Sequence, residues 1–300
     1  MAASANVIVF GAAGDIGSAT ALAAYQQGAK VTLAMRDTSK TIPRLKGIVA
    51  ERVQADLTKP ETIDTAVRQS GAKAAFIYAC TGNSESNGLY DSIMALKEAG
   101  IESVVLLSSY TVGDSPQNRT PDEYAAWFPA QVEISLEKVF GKDHYAAVRP
   151  AYFASNILWL REGILMGEVH HPNPGGEHDW IAPEDIGQVC GMILSHGIKE
   201  NPVLMLGAEP MTFQDAIAVV SRVLGKDVKV TQISRESALE NMKVGAEEIF
   251  ANWYIKYITD DAGYEFRHPA AAKAAGTVLK YTGKNPRSFQ QWMEENKTKF

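Results

Sequence analysis

Cysteine is nearly absent from this 300-residue chain: the two present, Cys80 and Cys190, lie far apart. That excludes a disulfide framework and any zinc-type spacing, and makes a reducing, cytoplasmic setting the default expectation. No apolar run approaches the ~20 residues that span a bilayer, so no membrane association is expected. The N-terminus lacks a basic start followed by a long apolar segment, so no secretory leader is expected. Positive charge is in deficit, with a net charge of −6, which argues against a nucleic-acid-binding surface. Internal repeats and low-complexity tracts are also missing. A hydrophobic content of 46% is ordinary for a globular protein, and the length allows a sizeable core.

The most informative stretch is the first thirty-six residues. An apolar run, Asn6 to Phe10, is followed at once by Gly11-Ala12-Ala13-Gly14-Asp15-Ile16-Gly17, then by a helical segment from Ser18 to Gln27 and a second apolar run, Lys30 to Met35. Strand, glycine turn, helix and strand form a dinucleotide-binding unit, with G-x-x-G-x-x-G spacing. Gly11 would allow the tight turn, Gly14 the approach of a pyrophosphate, and Gly17 the close packing of the helix. The helix N-terminus would offer free amides and a positive dipole to that pyrophosphate. Gly11, Ala13, Gly14, Asp15, Ile16 and Gly17 are therefore the candidate phosphate cradle. Arg36, ending the second strand, offers a planar cation for a 2′-phosphate and points to NADP(H). Lys40 and Arg44 would add charge. Asp37 stands one place late for a ribose-binding acid and keeps NAD open.

The alternation continues. Strands are expected at 52–57, 74–78, 103–107 and 145–148, with helices at 60–69, 87–99 and 131–140. Continuous apolar strands alternating with helices predict an α/β, doubly wound parallel sheet of the Rossmann type. Residues 1–155 are read as the dinucleotide-binding domain. Residues 156–300 are read as a smaller, mostly helical substrate lobe, with the chain returning once to the sheet around 181–206. Gly167 to Asp179, rich in proline and glycine, reads as a loop, and its His170, His171 and His178 match no metal-ligand spacing. No metal is expected; a lid over the cleft is the better reading. The aromatic run Phe250 to Tyr257 reads as core, or as the lining of an apolar pocket through Trp253, Tyr254 and Tyr257.

The glycine turn, Arg36, Ala55-Asp56-Leu57, Val104 to Ser109, Arg149 to Phe153, Pro183 to Gly187 and Ser288 to Trp292 together resemble the NmrA-like group of atypical short-chain dehydrogenase/reductases. The resemblance implies an NADP-preferring Rossmann domain with a small C-terminal lobe. It implies that Asp56 and Leu57 sit by the adenine and that Ala79, Cys80 and Thr81 line the cofactor. It places Ser108 and Ser109 on the nicotinamide side, with Pro150, Tyr152 and Phe153 passing beneath it. The wider superfamily's Tyr-x-x-x-Lys pair is missing: four residues before Lys138 stands Ile134, and the lone-lysine alternative falls near Gln131 or Val132. Tyr110 and Tyr152 are then the candidate catalytic groups, with Tyr124 and Glu133 as further cleft neighbours, although Glu133 reads better as a solvated helix charge. The resulting expectation is an NADPH-dependent oxidoreductase acting on a small apolar carbonyl or conjugated substrate. A non-catalytic NADP(H) sensor working through a homodimer or a regulatory partner, and a redox-neutral isomerase or cyclase, stay open beside it.

Overall fold

Apolar runs buried on both faces become the strands of a single parallel sheet. The computed structural model describes residues 4–80 and 88–300. Its first half runs β1 (Asn6–Phe10), α1 (Asp15–Gln26), β2 (Lys30–Met35), β3 (Glu51–Gln54), α2 (Pro60–Ser70), β4 (Ala74–Tyr78), α3 (Tyr90–Glu98), β5 (Ser103–Leu107), α4 (Tyr124–Phe140) and β6 (Tyr145–Pro150). It continues through α5 (Arg161–Met166), β7 (Glu168–His171), β8 (Glu177–His178), α6 (Pro183–His196), β9 (Val203–Met205), β10 (Met211–Thr212) and α7 (Phe213–Leu224). The remainder is β11 (Lys229–Gln232), α8 (Arg235–Lys243), α9 (Glu248–Thr259), α10 (Tyr264–Arg267), α11 (Ala271–Ala275), α12 (Thr277–Thr282) and α13 (Phe289–Asn296).

Among the described residues, seven strands form the main sheet in the order β3-β2-β1-β4-β5-β6-β9, every pair parallel. Strand order reverses between β1 and β4. In such sheets ligands bind at that reversal, outside the carboxyl ends of the strands. One face packs on α1 and α6 through Val7, Val9, Ile186 and Val189; the other packs on α2, α3 and α4 through Ile8, Ile63, Leu96 and Leu136.

Several boundaries differ from the sequence reading. The start expected for α3, at Asn87, lies outside the described residues. α4 begins at Tyr124, seven residues before the expected Gln131, and contains Pro129. Proline removes one amide and clashes with the carbonyl four residues back, so it marks a helix start by sequence, yet here the helix accommodates it. The expected loop 167–179 holds β7 and β8, which pair with β11 and β10. The chain also returns to the sheet a second time. Thr277 Oγ1 donates to Leu204 O at 2.7 Å, the Leu206 amide donates to Ala274 O at 3.2 Å, and Val278 joins the sheet core. A separate apolar cluster gathers Trp292, Phe289, Trp180 and Phe213 with Tyr152 and Ala154.

Candidate functional site

The turn after β1 works as a backbone cradle. Gly11 has φ of +68°, in the left-handed region, and its carbonyl accepts from the Gly14 amide at 2.9 Å. A Cβ on Gly17 would lie 2.3 Å from Gly11 O, so the first turn of α1 rests directly on the exit of β1. Gly14 is the N-cap and provides no side chain to cap the helix. The first amides of α1 thus remain available to an anion. A methyl at position 17 must displace backbone, at an overpacking cost of the usual 1–3 kcal/mol. Gly17→Ala is therefore expected to weaken dinucleotide binding about tenfold or more, checked by fluorescence titration.

The carboxyl ends of β1 to β6 converge on one cleft of about 980 Å³. Gly11, Ala13, Gly14, Asp15, Ile16, Gly17 and Arg36 line one end of it. Asp56, Leu57 and Ala79 line it after β3 and β4, and Ser108, Ser109, Tyr110, Pro150, Tyr152 and Phe153 line it after β5 and β6. Cys80 is not on that wall, and burial pushes its thiol up to about 11. Thr81 lies outside the described residues.

Charge at the β2 exit is sorted by local hydrogen bonds. Asp37 Oδ1 accepts from the Ser39 amide at 2.9 Å and from its hydroxyl at 2.6 Å, so this carboxylate is spent on its own turn. Arg44 pairs with Glu184 at 2.5 Å and is not a spare cation. Arg36 is exposed, and among the described residues no carboxylate lies within ion-pair distance of it. Asp56 Oδ1 accepts from the Thr58 amide at 3.0 Å and from its hydroxyl at 2.8 Å; these bonds hold the carboxyl below its usual range. An unpaired guanidinium, an uncapped helix end and a glycine cradle in one groove fit a dinucleotide bearing a 2′-phosphate.

Glu133 is not the solvated helix charge its sequence suggests. It is 3% exposed and clamps Arg149, with Nε to Oε1 at 2.9 Å and Nη2 to Oε2 at 2.5 Å. Ser108 Oγ also donates to Glu133 Oε1, and Arg149 Nη1 donates to Gly113 O at 2.6 Å. Glu133 therefore fixes the exits of β5 and β6 from behind. The segment beneath the expected nicotinamide position is pinned by the Ile181 amide on Tyr152 O at 2.8 Å and the Ala154 amide on Ile181 O at 2.9 Å.

The far end of the cleft is aromatic. Tyr124, Trp159, Phe250, Trp253, Tyr254 and Tyr257 line it. The run Phe250–Tyr257 serves as both core and lining: Tyr254 and Tyr257 are buried, yet they border the cleft. Neither candidate phenol is free. The Tyr152 hydroxyl sits 2.7 Å from that of Tyr254, and the Tyr110 hydroxyl donates to Glu265 O at 3.2 Å. Trp159, an isolated aromatic, and Glu265, one acid in a polar stretch, carried no sequence signal of a cleft position.

The histidines form neither lid nor cluster. His170 is exposed, near Glu168. His171 stacks on Phe213 at 3.8 Å, and His178 stacks on Tyr152 at 4.5 Å. Burial lowers these two to about 4 and about 3. Both are neutral when folded and bind protons on unfolding below their ordinary value of about 6.5, so they withdraw stability as pH falls from there toward 3. The buried carboxyls of Asp179 and Glu265 act in the opposite sense, since burial raises both. The clean comparison is therefore with a variant. His178→Phe is expected to make the loss of urea-unfolding stability below pH 6.5 shallower than in the parent. An unchanged slope would mean that His178 is charged in the fold.

The class defined by this fold and cleft is a Rossmann-type nucleotide-binding protein whose cleft has an aromatic end. A profile of the NmrA-like family matches residues 3–281, and the chain belongs to that family. It is 32% identical to the nitrogen metabolite regulation-like protein bik4 of Gibberella fujikuroi, over 96% of this chain and 95% of that one. Among solved structures it is similar to Citrobacter sp. triphenylmethane reductase complexed with NADP(H), with a TM-score of 0.73, 17% identity, and 96% and 99% of the two chains covered. The NADPH-dependent quinone oxidoreductase QOR2 of Escherichia coli, complexed with NADPH, gives the same TM-score, identity and coverage.

Proposed function

We propose that the chain is an NADPH-dependent oxidoreductase that reduces a small, largely apolar carbonyl or conjugated compound. One observation carries this reading. A single cleft runs from the glycine turn and the unpaired Arg36 to a wall of six aromatic side chains, so a phosphate-holding end and an apolar end share one cavity. The two reductases of like fold, whose structures hold NADP(H) and NADPH, support it. When bound, the cofactor supplies hydride from its nicotinamide. The α1 amides and Arg36 hold phosphate oxygens. Ser108, Ser109 and the Pro150–Phe153 segment border the reacting end, and the aromatic wall excludes water and stacks a flat substrate.

The test is purified protein with NADPH and a panel of quinones, enones and aromatic aldehydes. Loss of NADPH absorbance with at least one member is expected. NADPH binding without oxidation across the panel would remove the reading.

That outcome would favour a second reading, a nucleotide-responsive regulator. Its support is the missing Tyr-x-x-x-Lys pair and the 32% identity to a nitrogen metabolite regulation-like protein. Here the nucleotide shifts a conformational equilibrium that a partner reads. A pull-down with and without NADP would then differ in captured protein or in oligomeric state.

A further inference from the structure

We propose that Tyr257 is the proton donor of the cleft and that Glu265 is the carboxyl group that returns a proton to it. The inference deepens the reductase reading and rests on it. Tyr257 comes from α9 and Glu265 from α10, and both border the cleft. The Tyr257 hydroxyl lies 3.4 Å from Glu265 Oε2, placed to donate to an ionised carboxyl and to accept from a protonated one. Glu265 is 1% exposed, and its Oε1 is buried with no hydrogen-bond partner among the described residues. An ionised carboxylate there would leave one buried, charged oxygen with no donor among the described residues, a heavy desolvation cost. A carboxylic acid escapes that cost and has a proton to give.

The surroundings act in the same direction. Asp179, 2% exposed, is a second buried acid beside it, with Oδ1 accepting from the Gly207 amide at 2.7 Å and Oδ2 unpartnered among the described residues. Two buried carboxyls that feel each other's charge do not both ionise. The groups facing Glu265 are Asp179, through its backbone amide and its carboxyl, Tyr257, Tyr110 through the Glu265 carbonyl, and Arg267. Burial raises the Glu265 carboxyl above its ordinary range, outweighing the amides, the Tyr257 hydroxyl and Arg267. Tyr110, the donor suggested by sequence, already gives its hydrogen to the Glu265 carbonyl.

The proton balance is simple. A reduced carbonyl leaves an electron pair on its oxygen, which requires one proton. The Tyr257 O–H bond breaks as the substrate O–H bond forms, and the Glu265 carboxyl passes its proton to the phenol oxygen in the same movement. The carboxylate left behind is reprotonated by water entering the open cleft. Tyr257 alone is a weak source, because burial pushes its phenol well above the usual range. A positioned neutral acid removes that obstacle and takes the place of the missing lysine's effect.

The experiment compares Tyr257→Phe, Glu265→Gln and Tyr110→Phe with the parent, using benzaldehyde and cinnamaldehyde as substrates. NADPH affinity is expected to hold in Tyr257→Phe and Glu265→Gln while kcat falls about 10²–10⁴-fold. The parent's kcat should decline as pH rises through the Glu265 ionisation, and Glu265→Gln should lose that limb. A substrate-free arm reads the acid itself: the infrared difference between parent and Glu265→Gln at neutral pH should contain a protonated-carboxyl band. If Glu265→Gln folds poorly, Tyr257→Phe carries the kinetics, and Glu265→Asp, which should shift the band, carries the spectroscopy. Absence of the band, parental turnover in Tyr257→Phe, or a loss confined to Tyr110→Phe would each overturn the proposal. A band present in a protein that oxidises NADPH with neither aldehyde nor any panel member would instead sink the reductase reading and the donor role with it.

Discussion

Glu133→Ala is expected to destabilise the protein by about 3–5 kcal/mol, the usual cost of breaking a buried ion pair by removing one partner. The size follows from what is left behind. Arg149 is 4% exposed and would keep only the Gly113 carbonyl as acceptor. Its charge would sit without a counter-ion beneath the β5 and β6 exits, and Ser108 would lose the acceptor of its hydroxyl. Urea unfolding should show a much lower midpoint with a similar slope, which marks stability rather than compactness. Glu133→Ala combined with Arg149→Met should cost less than the sum of the single changes, because the second substitution removes the stranded charge. A single-mutant loss typical of exposed pairs, about 0–1 kcal/mol, would mean that the pair is hydrated in solution.

The reason Glu133 was misread shows which parts of this fold are legible in sequence. The strands were readable because burial on both faces makes each a continuous apolar run; the bounds expected for β1, β2, β4 and β5 match those observed. The glycine turn was readable because its signal is local: Gly11, Gly14, Gly17 and Arg36 lie within one strand–helix–strand unit. The substrate end is different. Glu133 is neutralised by an arginine from another element, His171 is kept neutral by burial where it stacks on Phe213, and Glu265 interacts with Asp179. Such partners are brought together by the tertiary fold, and periodicity carries no trace of them. Pro129 inside α4 and the second return of the chain at 271–282 were hidden for the same reason, since packing outweighed the local signal.

Arg36→Ala is expected to weaken NADP(H) binding by about one to two orders of magnitude while leaving NAD(H) nearly unchanged. Few groups compete for this side chain. Asp37 is tied to Ser39, Arg44 is tied to Glu184, and Asp56 is tied to Thr58. Of these groups only the Arg36 guanidinium has no side-chain hydrogen bond or ion pair among the described residues, although Asp56 feels its charge; it stands at the cleft edge, one residue past β2, where the adenosine ribose lies in Rossmann units. A planar fork of N–H groups suits a phosphate, and a charge-assisted hydrogen bond contributes roughly 1.5–3 kcal/mol. NAD lacks the 2′-phosphate and so loses nothing comparable. Arg36→Lys should recover part of the affinity, because it keeps the charge and gives up the bidentate fork. Isothermal titration of both cofactors against parent, Arg36→Ala and Arg36→Lys separates the cases. Equal losses for NADP(H) and NAD(H) would show that Arg36 holds the adenine or the fold and does not choose the cofactor.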